Sequence, residues 1–265
     1  MTERERCDGK AGAAELRLIA LPGFPLVRPG DDLAGMIVEG VDRAGERLHD
    51  GDVLVVAQKV VSKAEGRLVR LASVHPSERA LALAKETGKD PRIVELVLGE
   101  SEEVVRFARE VIIIAHRSGF VMANAGIDQS NVEPEGGEVV LLLPSDPDAS
   151  CAKLRTELRV REGVDVAVVV NDSHGRAWRN GTVGVALGAA GLPALLDLRG
   201  RPDLFDRTLR VTEVGLADEI ASAASIVMGQ GDEGRPVVLA RGVPYARREG
   251  CARELVRARE QDLFR

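Results

Sequence analysis

Residues 164–181 read VDVAVVVNDSHGRAWRNG. The first seven form a short apolar run, the pattern of a strand covered on both faces rather than one that alternates between core and water. The run stops at Asn171-Asp172-Ser173-His174, followed by Arg176, the single tryptophan (Trp178), Arg179 and Gly181. A buried strand that ends in so many groups able to bind metals, anions or protons places a candidate site at its end, in what reads as a polar loop.

Outward from this strand, the same logic yields a mixed set of elements. LRLIAL (16–21), the β-branched run after the Asp-Gly turn in DGDVLVVAQKVVSKAEGR (50–67), and PVVLARGV (236–243) read as strands. LAGMIVEGV (33–41) reads as a helix capped by Asp31 or Asp32. Residues 76–87, 91–98 and 145–163 read as helices with proline near their starts; Gly88 and Gly163 are stop signals. VTEVGLADEIASAASIVMG (211–229) is an amphipathic helix, and EVIIIAHRSGFVMANAG (110–126) is a hairpin turning at Arg117-Ser118-Gly119. TVGVALGAAGLPALLDLRG (182–200), rich in Gly and Ala, predicts close backbone packing. Without a regular βαβ rhythm, the class is α+β or mixed α/β, with no Rossmann and no P-loop unit.

Composition narrows the function. The chain has 265 residues, 45% hydrophobic and 29% charged, with only 3% aromatics, so the core is built from Val, Leu, Ile and Ala. A net charge of −6 argues against nucleic acid as the main partner. No stretch approaches the ~18 uninterrupted apolar residues of a membrane span. Cys7, Cys151 and Cys251 are odd in number and widely spaced, which fits neither a disulfide framework nor a zinc site and points to a cytoplasmic protein. Residues 1–14 read as disordered, 15–245 as the catalytic unit (one domain or two intertwined subdomains), and 246–265 as a helical tail.

Four stretches collect chemistry. In NDSHGRAWRNG, Asp172 and Ser173 are hard oxygen ligands suited to Mg²⁺ or Mn²⁺, and Arg176 and Arg179 could clamp a carboxylate or phosphate. ANAGIDQSN carries Asp128 and Asn131 behind small residues. QKVVSK places Lys59 and Lys63 four apart after a strand, as point charges for phosphate. GQGDEG (229–234) matches GxGxxG, but it follows a helix and precedes a strand, the reverse of the dinucleotide fingerprint. GxxxxGK[ST], HExxH and GxSxG are all absent. Asp172, Ser173 and His174 are consecutive, so they do not align as a hydrolytic triad, and His174 reads as a turn residue.

FPLVRPGDDL, DGDVLVVAQKVVSKAEGR, ANAGIDQSNV, LLPSDPDASCAKLR, NDSHGRAWRNG and VTEVGLADEIA, in that order, resemble the coenzyme F420 γ-glutamyl ligases over nearly the whole chain. The resemblance implies an α/β fold particular to that family, found as an intertwined homodimer. It implies GTP-dependent addition of L-glutamate to the deazaflavin F420-0, then γ-linked extension, with Mn²⁺ or Mg²⁺ (two ions) and K⁺. By match to the family, the nucleotide falls to Phe24, Pro25, Leu26, Val27, the hydroxyl position at Gln58, Lys63 and Asn131. The segment Met228, Gly229, Gln230, Gly231, Asp232, Glu233, Gly234 and Arg235 matches a further nucleotide and metal loop. The metal ligands fall on Asp128, Asp172, Ser173 and Gln230; Asp128 and Asp172 make up the expected catalytic set together with Arg176 and Arg179, which are added from the residues' own chemistry and not from the resemblance. Gln58 stands where many relatives have serine, Ser173 where threonine is commoner, and Gln230 where an acid is expected. No additional flavin-binding domain is expected. The alternatives are a ligase for another amino acid or carboxylate, and a non-catalytic nucleotide- or deazaflavin-binding protein.

Overall fold

The computed structural model describes residues 14–131 and 137–263. The N-terminal segment read as disordered lies, but for its last residue, outside the described residues, as does Cys7. The chain opens with β1 (Arg17–Ala20) and α1 (Leu33–Arg43), then β2 (Val53–Ala57), which runs straight into α2 (Gln58–Ala64) and on to β3 (Leu68–Arg70). The helices α3 (Glu78–Thr87) and α4 (Pro91–Gly99) lead to β4 (Ser101–Ala108), β5 (Val111–His116) and β6 (Val121–Ala123). β7 (Val139–Leu141) and α5 (Pro147–Glu162) precede the long hairpin of β8 (Ala167–Arg176) and β9 (Arg179–Ala190). β10 (Leu196–Asp197), β11 (Glu213–Val214), α6 (Leu216–Met228) and β12 (Val237–Arg241) follow.

The main sheet has the order β1-β12-β2-β8-β9, with β2 and β8 parallel and the other neighbours antiparallel. Successive side chains on a strand point to opposite faces. Leu54, Val56, Val168 and Val170 therefore pack with Ile37 of α1 and Leu154 and Leu158 of α5. Val53, Val55, Ala167 and Val169 pack on the other face with Ala217, Ile220, Ala221 and Ala224 of α6. Both faces are covered, which is why the β8 sequence shows no alternation. The three-stranded sheet β4-β5-β6 and the pairs β3-β7 and β10-β11 are separate.

The helix boundaries follow from local chemistry. Asp32 accepts from the Gly35 N–H and caps α1; Asp146 does the same for α5 through the Ala149 N–H. Gly88 and Gly163 end α3 and α5 in left-handed conformations, φ 73° and 71°, where a β-carbon would be strained. On β9, a β-carbon at Gly184 would strike the Ala221 carbonyl of α6, and one at Gly188 the Pro147 carbonyl of α5. The close packing expected of this Gly/Ala-rich stretch is thus made against both helical layers.

Two expectations are corrected. NDSHGRAWRNG is not a loop: β8 continues to Arg176 because β9 pairs with it as far as Gly175↔Thr182 and Arg176↔Arg179, and only Ala177 and Trp178 turn. Polar side chains do not end a strand while its backbone groups find partners. The C-terminal tail is not an α-helix but two short 3₁₀ turns, Ala252–Leu255 and Arg259–Gln261. No helix among the described residues is long and apolar enough to cross a membrane.

Candidate functional site

β1, β2 and β8 run in the same direction, so their C-terminal ends and the start of β12 share one edge of the sheet. Ligands of α/β sheets bind at such edges. A cavity of about 760 Å³ lies here, within the range of nucleotide-sized ligand sites. Its walls come from places distant in sequence, chiefly the strap Phe24–Pro29, the β2–α2 junction, Asn171–Ser173 of β8 and Met228–Pro236 between α6 and β12, with Arg70 of β3 and Asn131 adding to them. Arg28, Lys59, Lys63, Arg70 and Arg235 line it, opposed by Asp172, Asp232 and Glu233.

Asp128 sits behind this wall, its backbone bridged to Leu141 by two hydrogen bonds of 2.9 Å. Its Oδ2 accepts from Gln58 Nε2 at 2.5 Å and lies 2.9 Å from Lys59 Nζ. Gln58 is 1% exposed, and its carbonyl accepts from Ser62 Oγ at 3.0 Å. The long Gln58 side chain thus orients the Asp128 carboxylate, a contact that the shorter serine common at this position would not make in the same way. Burial pushes the Asp128 carboxyl up, Lys59 pulls it back, and the charge of Asp172 pushes it up again.

Asp172 and Ser173 are neighbours on a strand and leave the backbone in opposite directions. Asp172 Oδ2 lies 3.3 Å from His174 Nε2. Ser173 Oγ donates to Gln230 Oε1 at 2.6 Å, which ties β8 to the loop after α6. That loop is joined to the opposite wall by Asn131, whose Nδ2 donates to Gly231 O at 3.3 Å and whose carbonyl accepts from Lys63 Nζ at 2.6 Å. Asn131 takes the left-handed conformation, φ 56°, that asparagine tolerates better than most residues.

Of the residues singled out above, Phe24 to Val27, Gln58, Lys63, Asn131, Asp172, Ser173 and Met228 to Arg235 all meet at the cavity, with Asp128 against Gln58 and Lys59. Arg176 and Arg179 do not. The strand carries them past the cavity to the hairpin tip, where Arg176 Nη2 donates to Asn180 O at 3.4 Å and Trp178 is 88% exposed. At that tip Arg176 Nη1 is shielded from solvent and has no hydrogen-bond partner. Asn171 and Arg70 were missed. Asn171 is buried, donates to Ser225 Oγ at 3.0 Å, and leaves its Oδ1 without a hydrogen-bond partner at the cavity wall. Its signal was its place as the first polar residue after the valines; Arg70 has no local signal, because β3 comes to the wall only through tertiary packing.

Fold and site together define an α/β protein whose edge cavity sets lysines and arginines against two neighbouring carboxylates. The family described as F420-0:Gamma-glutamyl ligase matches residues 23–242. The chain is 47% identical over 252 residues to the coenzyme F420:L-glutamate ligase of Methanothermobacter thermautotrophicus, covering 94% of this chain and 99% of that one. It is 48% identical over 258 residues to the enzyme of the same name from Methanopyrus kandleri (96% and 99%), and 44% over 250 residues to that of Archaeoglobus fulgidus (94% and 96%). The chain belongs to the F420-0:gamma-glutamyl ligase family, and it is a ligase enzyme.

Proposed function

We propose that this enzyme joins L-glutamate to the deazaflavin precursor F420-0 in coenzyme F420 biosynthesis, at the expense of GTP, the first residue as an α-amide and later ones through γ-linkages. The names of the relatives support the amino acid and the deazaflavin. The observation that carries the reading is the pairing of Asp128 and Asp172 beside Lys59 at the edge of a nucleotide-sized cavity.

The chemical task is to make an amide from an unreactive carboxylate. The terminal phosphoryl group of GTP passes to the lactyl-side carboxylate, forming one P–O bond as the bond to GDP breaks. The glutamate amine then attacks the acyl carbon, the bond to phosphate breaks, and the amine gives up its proton. Three anionic partners meet in one cavity, so charge neutralisation dominates. In this reading Lys63 and Lys59 offset phosphate charge, and Phe24 to Val27 form the wall against which the nucleotide packs.

The donor set fits a hard divalent cation. Asp128, Asp172, Ser173 and the carbonyl of Gln230 are all oxygen donors, and burial with the nearby Asp172 pushes the Asp128 carboxyl up, a setting that a cation would relieve. Among the described residues no third acid or histidine joins the pair to complete a cage. Two carboxylates with substrate phosphates filling the shell is the usual arrangement for Mg²⁺. When bound, Mn²⁺ or Mg²⁺ neutralises and aligns phosphate oxygens. Two such ions, K⁺ and a homodimer complete the proposal, as the family resemblance implies.

The test is to mix the enzyme with F420-0, GTP, Mn²⁺ and a panel of amino acids, following GDP release and the product mass. GDP is expected only with glutamate, and the product gains whole glutamyl units. Nucleotide binding without GDP release, or turnover with a different amino acid, overturns the proposal.

A further inference from the structure

A second cavity, of about 220 Å³, lies beside the first. Gly119 to Val121 of the β5–β6 turn, His174 of β8, Asp218 of α6 and the tail residues Leu255 to Arg257 enclose it. At less than a third of the main cavity's volume, it holds no nucleotide but has room for a single small metabolite. His174 joins the two spaces. It lines the second cavity, and its Nε2 lies 3.3 Å from Asp172 Oδ2, which faces the first.

The polar groups of this space are incompletely matched. Asp218 is half-buried, accepts the Ala186 N–H at 2.8 Å, and forms no ion pair among the described residues. Burial pushes its carboxyl up, while the Ala186 N–H and the nearby His174 pull it back only in part. His174 Nε2 is shielded from solvent and makes no hydrogen bond. Arg257, exposed at the rim, also forms no ion pair among the described residues. Between these poles the wall is apolar, from Phe120, Val185 and Leu255. Asp262 of the tail also lines the cavity and is already engaged. The Asp218 carboxylate inside and the Arg257 guanidinium at the mouth complement a zwitterion whose ammonium enters first.

We propose that this cavity is the subsite of the amino-acid acceptor. An α-amino acid would sit with its amine against Asp218, on the side of His174 and Asp172, and a carboxylate toward Arg257. Its amine is then presented to the edge where the acyl phosphate forms, without crossing the nucleotide's space. The assignment rests on the amide-ligase reading above and names which of its three substrates goes where. It also explains why the reach of the tail over the β5–β6 turn matters: Leu255 to Arg257 close the space from outside.

The test uses the full chain carrying Asp218→Asn or Arg257→Met. Asparagine keeps an acceptor for the Ala186 N–H, and Arg257 is at the surface, so both variants are expected to fold; thermal melting checks this. In each, the KM for glutamate should rise about tenfold or more, the loss of one charged contact, while the KM for GTP stays unchanged. Arg257→Lys should restore part of the affinity. Unchanged glutamate KM in both variants, or equal shifts in both substrates, overturns the subsite. If the wild-type chain releases no GDP with glutamate, the ligase reading has failed instead. Calorimetric titration of wild type and Asp218→Asn with L-glutamate and other amino acids then decides alone. Binding lost in the variant keeps the subsite, and absence of binding by every amino acid overturns it.

Discussion

Two part-buried carboxylates in this molecule, Glu100 and Asp128, each face cations, and their charges respond in opposite directions. Glu100, at the end of α4, lies 3.5 Å from His116 Nε2, 3.3 Å from Arg67 and 3.5 Å from Arg117. The His116 imidazole facing it, helped by the two arginines, holds its carboxyl below the usual range despite burial. At Asp128, burial outweighs Lys59 and Gln58, and the neighbouring Asp172 adds to the burden, so the carboxyl is raised. The first cluster surrounds its carboxylate with three cationic or imidazole groups of the protein and ties the small sheet to the core. The second keeps two carboxylates near one lysine at the edge of the cavity, an arrangement that suits the proposed cation site.

The largest test of this contrast is removal of a carboxylate from each cluster's counterpart functions. Asp172→Ala or Asp128→Ala should cut GDP release by roughly 100-fold or more, with melting temperature held or raised. A near-normal rate would remove the contrast altogether. Glu100→Ala removes the carboxylate that faces two arginines and a buried imidazole, and should cost about 2 kcal/mol in urea unfolding while turnover per folded molecule stays intact. A loss of turnover at unchanged stability would place Glu100 in the site.

Smaller effects sharpen it. Gln58→Leu removes the neutral donor to Asp128 and the acceptor for Ser62, leaving Lys59 as the carboxylate's partner. The rate or the apparent affinity for Mn²⁺ should fall about fivefold. The smallest effect is in pH. Glu100, with a depressed folded pKa, contributes stability that is present above its unfolded value and lost as pH falls through the folded one. Asp128, with a raised folded pKa, contributes stability at acid pH that is lost as pH rises through the folded value. In chelator, Glu100→Gln should therefore lower the melting temperature at pH 7 and Asp128→Asn should raise it slightly, and both differences should fade in acid. Equal signs at pH 7 would contradict the comparison.

Local elements were largely legible because their causes are local. Asp32 and Asp146 cap their helices through side chains three residues from the amides they serve, and Gly88 and Gly163 stop theirs through their own backbone. The valines of β8 announced a strand covered on both faces. The carboxylates Asp128 and Asp172, with Ser173, stood out as hard ligands beside such a strand. The extension of β8 to Arg176 did not, because it depends on pairing with β9 rather than on the residues themselves. The same extension displaced Arg176 and Arg179 from the cavity to the hairpin tip.

What the sequence by itself determined is the kind of elements, the identity of the polar groups and, through six motifs in order, the family. These are carried by residue type and short spacing. Only the tertiary structure decided how the groups are used. Gln58 meets Asp128 across 70 positions, Ser173 meets Gln230 across 57, and Asn131 meets Gly231 across 100. No propensity or period encodes such contacts, because strand order and helix packing set them after every local choice has been made.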